Sequence, residues 1–397
     1  MDDQTFHNSI QRLERWLNNN GLAGLDPYTL EAKLNKTSFY QKYGNNRVVR
    51  HLCYRLLQVF PEYLLPILKP EPEINAKGLG LLALGYLNLY ESTGQETYRQ
   101  KTEEILTWLV NNRSKGYPGY CWGYPFDWFT EILIPANTPS SVVTVTVGYA
   151  FIRAYKLFKN SDYLKVITKI AEFLTKGLNC YQLSKNELCF SYTPLDDKQV
   201  INANLFIGDY LGRVLKYFEN EEWLRIATKI YNFTIRCQNP DGSFYYYGPD
   251  MEPRPALRKT LKMIDHVHTG FVLRALQTLT ENLPGNKKNI YIKMGLKFYL
   301  EELFDNYIPK FMPRIKYPVN IHSVSEAILT LSQFREDPQA RSKLEKTIPW
   351  AIANFQDKRG YFYYNLFPFR KAKIAYLRWG QAWMFYALTQ IRKNRKY

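Results

Sequence analysis

The amino-acid sequence predicts an all-α fold, an (α/α)6 toroid of six helical hairpins with alternating inner and outer helices. Three observations predict it. Segments rich in small and apolar residues recur along the 397-residue chain, with starts roughly 55–65 residues apart. Between them runs a second series whose Leu, Ile and Trp recur at three- and four-residue spacing, as in helices with one buried stripe. The connections are unequal: short after each member of the first series, and roughly 17–27 residues after each member of the second.

The first series spans about 75–91 (Gly78, Gly80, Gly85), 139–158 (Val143, Gly148), 200–218 (Ala203, Gly208), 266–281 (Gly270, Ala275), 322–335 (Val324, Ala327) and 376–392 (Gly380, Ala387). Such segments suit inner helices, because a helix surrounded on all sides is apolar all round. The second series spans about 95–113, 160–176, 220–238, 286–304 and 338–355, with 46–68 as the sixth outer partner and 4–20 as an extra amphipathic helix. The expectation is therefore one toroid over 1–397 with an N-terminal helical extension at about 1–45. An open solenoid also stacks helix pairs, but solenoid repeats usually run about 34–47 residues. The long connections should gather on one face, where the inner helices begin and their N-termini favour anions.

Composition narrows the function classes. Hydrophobic residues make up 46% and charged residues 22%, as in a globular protein with a sizeable core. The chain carries 32 Tyr, 23 Phe and 8 Trp, rings that suit carbohydrate surfaces as well as cores. A net charge of +17 favours an anionic partner, either an acidic glycan or the peripheral surface of a membrane. No zinc-finger spacing or RNA-binding signature supports nucleic acid; the one tight basic cluster, Arg392, Lys393, Arg395 and Lys396, reads as a solvated helix end. The five cysteines contain no C-x-x-C pair, so neither a disulfide framework nor a structural metal is expected, and no cofactor motif is present. The acidic, non-apolar start and the lack of a long apolar run lead to the expectation of a cytoplasmic protein.

Several constellations fall at the expected mouth. The run Trp122, Gly123, Tyr124, Pro125, Phe126, Asp127, Trp128 sets a carboxylate between two indoles, a pattern suited to stacking on a sugar ring while holding its hydroxyls, and it continues to Asn137. Asp265 stands where an N-cap belongs, followed by His266 and His268, which two-residue spacing puts on different faces of a helix. Other inner-helix starts bring Asn202, Asn320, His322, Arg378 and Trp379, and Tyr192 precedes the third. Asp127, Asp265, His266, His268 and His322 are the candidate catalytic residues; Trp122, Trp128, Asn137, Tyr192, Asn202, Asn320, Arg378 and Trp379 are the candidate substrate-binding ones.

Two stretches after outer segments share the pattern Gln-x3-Gly-x-aromatic: Gln238 to Gly242 and Phe244, and Gln356 to Gly360 and Phe362. This pattern resembles the turns of terpenoid-cyclase and prenyltransferase toroids, and six-hairpin glycosidases and polysaccharide lyases carry similar ones. Neither an Asp-x-Asp-Asp motif nor a prenyltransferase zinc set is present. The Trp122–Pro139 run, with Asp265, His266, His268 and Asn320, His322, resembles bacterial toroid proteins encoded with exopolysaccharide and capsule synthesis. The resemblance implies an α/α toroid and a role in making or modifying a surface glycan; it assigns no catalytic residue. A hydrolase would need two carboxyls, for which Asp127 and Asp265 are the candidates. A lyase would need a base such as His266, His268, His322 or Tyr192 and a group to hold a uronate, such as Asn202, Asn320 or Arg378. The alternative is a noncatalytic glycan-binding or scaffold protein of the polysaccharide synthesis machinery; a glycan or glycolipid is the expected partner in either case. A lipid or isoprenoid cavity is a further alternative, and predicts a dry, apolar ring interior.

Overall fold

The computed structural model describes residues 3–394 apart from 253, 255, 256, 258, 259 and 286–288. Arg395 and Lys396 of the basic tail lie outside the described residues. The helices, in chain order, are α1 (Asp3–Asn20), α2 (Pro27–Asn35), α3 (Ser38–Tyr43), α4 (Arg47–Val59), α5 (Pro61–Leu68), α6 (Ala76–Thr93), α7 (Glu96–Asn111), α8 (Ser141–Phe158), α9 (Ser161–Lys176), α10 (Ile201–Val214), α11 (Glu221–Arg236), α12 (His266–Asn282), α13 (Ile290–Glu302), α14 (Ile321–Gln333), α15 (Pro338–Phe355) and α16 (Trp383–Asn394), the last entered through a π-helical turn, Leu377–Ala382.

The inner ring is α6, α8, α10, α12, α14 and α16. Each packs on the next, and α16 returns to α6, so the ring is closed and is not an open solenoid. These helices are buried nearly all round; α8 buries Ser141 through Gly148 without a break. Small residues set the spacing, since a Cβ on Gly80 would stand 3.2 Å from the Val147 Cα. The outer helices bury one stripe each, as α9 does with Val166, Ile167, Ile170, Ala171, Phe173 and Leu174.

The sixth outer position differs from the sequence expectation. It belongs to α1, whose Phe6, Ile10, Leu13 and Leu17 join the main core. The two Gln-x3-Gly turns show why. Gln238 Nε2 donates to the Gly242 carbonyl and to Tyr291 at the head of α13. Gln356 Nε2 donates to the Gly360 carbonyl and to Ser9 O of α1. Gly242 (φ +91°) and Gly360 (φ +110°) press on the following outer helix so closely that a Cβ would come within 2.3 Å of Met294 O and 2.2 Å of Arg12 O. Thus α1 stands to the last repeat as α13 stands to the third-from-last. Helix propensity and amphipathicity cannot separate α1 from 46–68; the partner of the Gln356 turn does.

Residues 27–68, holding α2 to α5, form a cap instead. α4 buries only Leu57. The cap is tied to the connections entering the inner helices: Asn365 Nδ2 donates to Gln58 O, Arg370 Nε to Val59 O, and Lys36 Nζ pairs with Asp127. Short antiparallel pairs brace the same face, among them Val319–Asn320 with Asn365–Leu366 and Ala23–Gly24 with Glu73–Ile74. All the outer-to-inner connections lie here, so this end of the ring is the elaborated one. Among the described residues no helix is long and apolar enough to cross a membrane.

Candidate functional site

Side-chain caps fix the starts of four inner helices: Asn75, Ser140, Asp265 and Asn320 each accept a backbone N–H of the first turn. Around these starts lies a cavity of about 520 Å³, roofed by Tyr28, Glu31, Tyr54 and Leu57 of the cap. Its size is that of a small-ligand pocket. Its wall is rich in aromatic rings: the Trp128 and Tyr192 centroids are 5.7 Å apart, Tyr246 lies 4.6 Å from His268, and Tyr28 packs on Phe126 at 5.7 Å. The interior combines these rings with charged and imidazole groups, unlike the dry ring that an isoprenoid cavity would need.

Three groups in the cavity can move or hold protons. Asp265 caps α12, with Oδ1 accepting from His268 N at 2.8 Å, while Oδ2 lies 2.6 Å from His268 Nδ1. Burial alone would raise the Asp265 carboxyl, but the charge and hydrogen bonds of His268 outweigh it and hold the pKa below the usual carboxylate range. The carboxylate thus orients the imidazole and leaves Nε2 for the cavity. His322 is buried between the Trp379 ring at 4.8 Å and the Trp383 ring at 4.9 Å, and neither of its ring nitrogens has a hydrogen-bond partner. Burial, then the charges of Lys77 and Arg378, push its pKa well down, so the ring is neutral at pH 7. Lys77, on the second residue of α6, is the third. Its Nζ lies 5.5 Å from the Trp383 ring and 5.7 Å from the Phe271 ring, and no carboxylate pairs with it among the described residues. Burial, helped by Arg378, lowers its pKa to about 7.

The cavity gathers Trp128, Tyr192, Asn202, Asp265, His268, Asn320, His322, Arg378 and Trp379 of the sequence candidates. It does not gather the other four. Asp127 accepts from Ala136 N at 2.9 Å and pairs with Lys36, so it staples its own loop to the cap rather than facing Asp265. Trp122 is a core residue whose Nε1 donates to Leu109 O. Asn137 adopts φ +62° and serves the same loop through its backbone. His266 points into the wall between α12 and α13, with Nδ1 at 3.0 Å from Leu303 O and Nε2 at 2.7 Å from Tyr299 Oη; burial lowers its pKa to about 4. Sequence order does not fix facing at these four: Trp122 and His266 turn into the core, Asp127 turns to the cap and Asn137 to the surface.

Two gathered residues are engaged. Arg378 makes a bidentate pair with Asp26, at 2.5 and 2.7 Å, with both side chains almost fully buried, so it anchors the cap and is not free to clamp a uronate. Asn320 caps His322, accepts from Trp379 Nε1 and donates to Asn365, which fixes the indole against the imidazole. Sequence reasoning missed Lys77, Glu31, Tyr28 and Asp26. A lone Lys in the apolar start of an inner segment was the available signal for the first; nothing local marks the cap residues.

At the far end of the ring Lys77 also borders a second cavity, of about 320 Å³. There Arg213 pairs with Asp209 and Arg274 with Glu326. Among the described residues no group of three or more His, Cys, Asp or Glu is placed to hold a metal ion.

No protein-family model and no curated protein matches the sequence. The fold is that of several carbohydrate-active enzymes. The chain is similar to cellobiose 2-epimerase from Bacillus thermoamylovorans B4167 (TM-score 0.61, 11% identity, 80% of this chain and 87% of that one). It is similar to a D-mannose isomerase (TM-score 0.60, 12% identity, covering 80% and 87%). It is also similar to the α-1,6-mannanase of Salegentibacter sp. HEL1_6 (TM-score 0.57, 15% identity, covering 81% and 90%). The all-α six-hairpin toroid is thus shared with proteins of different chemistry, and the site must decide between them.

Proposed function

We propose that this protein takes the end of a glycan into the mouth cavity and moves a proton on it. The observation that carries the reading is the meeting of two unlike imidazoles in one aromatic-walled cavity: His322, neutral with free ring nitrogens, and His268, paired to Asp265. His322 accepts a proton from a carbon next to a carbonyl, the electron pair moves onto the carbonyl oxygen, and His268, in the imidazolium form whose charge Asp265 balances, returns a proton from Nε2 to the enediolate; the proton on His322 then passes through solvent to His268 and restores the site. Lys77, when protonated, supplies positive charge for that oxygen. Groups whose environments differ are the usual sign of such a division of labour. The outcome is epimerisation or isomerisation of a sugar end; with a uronate and a leaving group on the next carbon, the same first step gives elimination.

Hydrolysis has less support. It would need two carboxyls across the bond. Asp127 is outside the cavity and Asp265 is engaged by His268, which among the described residues leaves Glu31 of the cap as the one other carboxyl in the wall. The activities of the epimerase and isomerase neighbours agree with proton transfer, and the mannanase is the counterexample. The resemblance of the Trp122–Pro139 run supports a surface polysaccharide, or its lipid-linked precursor, as the origin of the glycan, and the basic balance supports an acidic one. A cytoplasmic site of action and a contact with the membrane belong to the same reading. A noncatalytic scaffold role would leave the unpartnered His322 without a use.

The test is proton exchange. Reducing and uronate-terminated oligosaccharides are incubated in D2O, with deuterium at the carbon beside the carbonyl read by NMR and unsaturated uronate read by ultraviolet absorbance. Exchange that falls about 10²–10⁴-fold in His322→Ala and His268→Ala is the expected result. Glycan binding without exchange or product, unchanged by either substitution, would leave only the scaffold reading.

A further inference from the structure

Large hydrophobic side chains are exposed almost solely at one end of the ring. Of the 17 exposed among the described residues, 16 lie in the cap or in the outer-to-inner connections, and Ile290 is the exception. On α4 the outward stripe is Val48, Leu52 and Leu56, at four-residue spacing, with Val48 75% and Leu52 59% exposed. Phe60, Tyr63 and Ile67 continue it through α5, Ile67 at 73%. A cap facing water would turn its polar side outward; this one turns apolar side chains outward. The patch extends beyond the cap, because Lys36 ties the cap to the loop carrying Phe129 and Leu133, and Arg370 ties it to the loop carrying Phe369. Exposed apolar surface of this extent marks an interaction site.

Charge selects the partner. No Asp or Glu occurs between Glu31 and Glu62, whereas that stretch holds Lys33, Lys36, Lys42, Arg47, Arg50 and Arg55. Lys42, Arg47, Arg50 and Arg55 are exposed beside the apolar stripe. Apolar residues interleaved with unopposed cations on short helices match the boundary between acyl chains and anionic headgroups. A partner protein with an apolar face would not need so one-sided a charge.

We propose that the mouth face docks on an anionic bilayer surface, so that the capped cavity lies beside the membrane and receives, past the cap, a glycan still attached to its lipid. This rests on the mouth being a glycan site, and it names the substrate class: a lipid-linked glycan, with the sugar end in the ring and the lipid left in the leaflet. Tyr54, Leu57 and Gln58 of α4 line the cavity while Val48, Leu52 and Leu56 face outward, so one helix joins the two surfaces.

The experiment is co-sedimentation of the full chain with vesicles of phosphatidylcholine alone and of phosphatidylcholine with phosphatidylglycerol, alongside light scattering in free solution. Partitioning at least about tenfold stronger on the anionic vesicles is expected, falling with salt. The pairs Leu52→Glu with Ile67→Glu, and Phe129→Glu with Leu133→Glu, each alter side chains outside the cavity wall and should each weaken partitioning about tenfold while exchange on soluble oligosaccharides is unchanged. Absence of partitioning on anionic vesicles, equal partitioning of the variants, or a dimer in free solution that these substitutions dissolve would overturn the docking. Vesicle binding by a chain that exchanges no proton would overturn the proton-transfer reading alone, and exchange without vesicle binding would overturn the docking alone.

Discussion

Asp265 acts through His268, so Asp265→Asn separates its two jobs. As an N-cap, Asn serves about as well as Asp, and Oδ1 continues to accept from His268 N. The other oxygen becomes an amide nitrogen. In the native site Nδ1 donates to Oδ2 at 2.6 Å and Nε2 is the nitrogen presented to the cavity. In the variant the amide donates to Nδ1, the ring proton moves to Nε2, and the counter-charge for an imidazolium is gone. The lost charge-assisted hydrogen bond is worth at most about 1.5–3 kcal/mol of stability. Proton transfer should fall far more, by about 10²–10⁴-fold, as expected for an acid–base group that has lost the carboxylate balancing its imidazolium form. Asp265→Ala should cost about a further 1 kcal/mol through the cap. The checks are urea melts, the D2O exchange rate with its pH profile, and ¹⁵N shifts of the His268 ring. A Asp265→Asn protein with its tautomer inverted but its exchange rate intact would refute the role given to His268.

Other outcomes follow from the same geometry. Arg378→Ala strands the Asp26 carboxylate and should cost about 3–5 kcal/mol, while Asp26→Asn with Arg378→Met should restore most of that loss in urea melts. Lys77→Met removes a buried amine with no carboxylate partner, so stability should hold or rise while exchange slows. Because the folded-state pKa of Lys77 is about 7 and lies below the unfolded value of 10.5, the unfolded chain binds the extra proton in that window, and the wild type should gain stability as pH rises through it, a gain absent from the variant. His266 and His322 are buried neutral. The unfolded chain protonates first as pH drops below 6.5, so stability falls there, by on the order of 3 kcal/mol for His266 by pH 4, and His266→Gln should flatten that limb in pH-dependent melts.

The ring was legible because its inner helices are apolar on every side and its outer helices on one, a contrast that periodicity reports directly. The asymmetry of connection lengths gave the mouth. Two kinds of feature were not legible. Whether 4–20 or 46–68 completes the outer ring depends on a contact between Gln356 and Ser9, 347 positions apart. Amphipathicity says only that a helix has an apolar side; α1 turns its apolar side inward and α4 turns its apolar side out. At the site, inner-helix starts brought His268, His322 and Asn320 to the cavity wall, while His266, two residues before His268 on the same helix, faces the other way. Trp122, Asp127 and Asn137 sit on a loop, where sequence order says nothing about facing. Glu31 reaches the mouth from a distant cap, and Asp26, just before that cap, holds Arg378.

The clasp between the Gln356 turn and α1 has a consequence for synthesis. Its halves are made far apart in translation: α1 emerges before the rest of the ring, yet the groove that buries Phe6, Ile10, Leu13 and Leu17 exists only once α15 and α16 have emerged. Until then a nascent chain holds an apolar stripe and an open ring edge that no local pairing can satisfy. Neighbouring hairpins can form as they appear, but ring closure is the step of greatest sequence separation and should be slow. A ribosome-bound chain ending before Gln356 should therefore leave α1 sensitive to protease and available to a holding chaperone, and that sensitivity should vanish together with the last repeat's release.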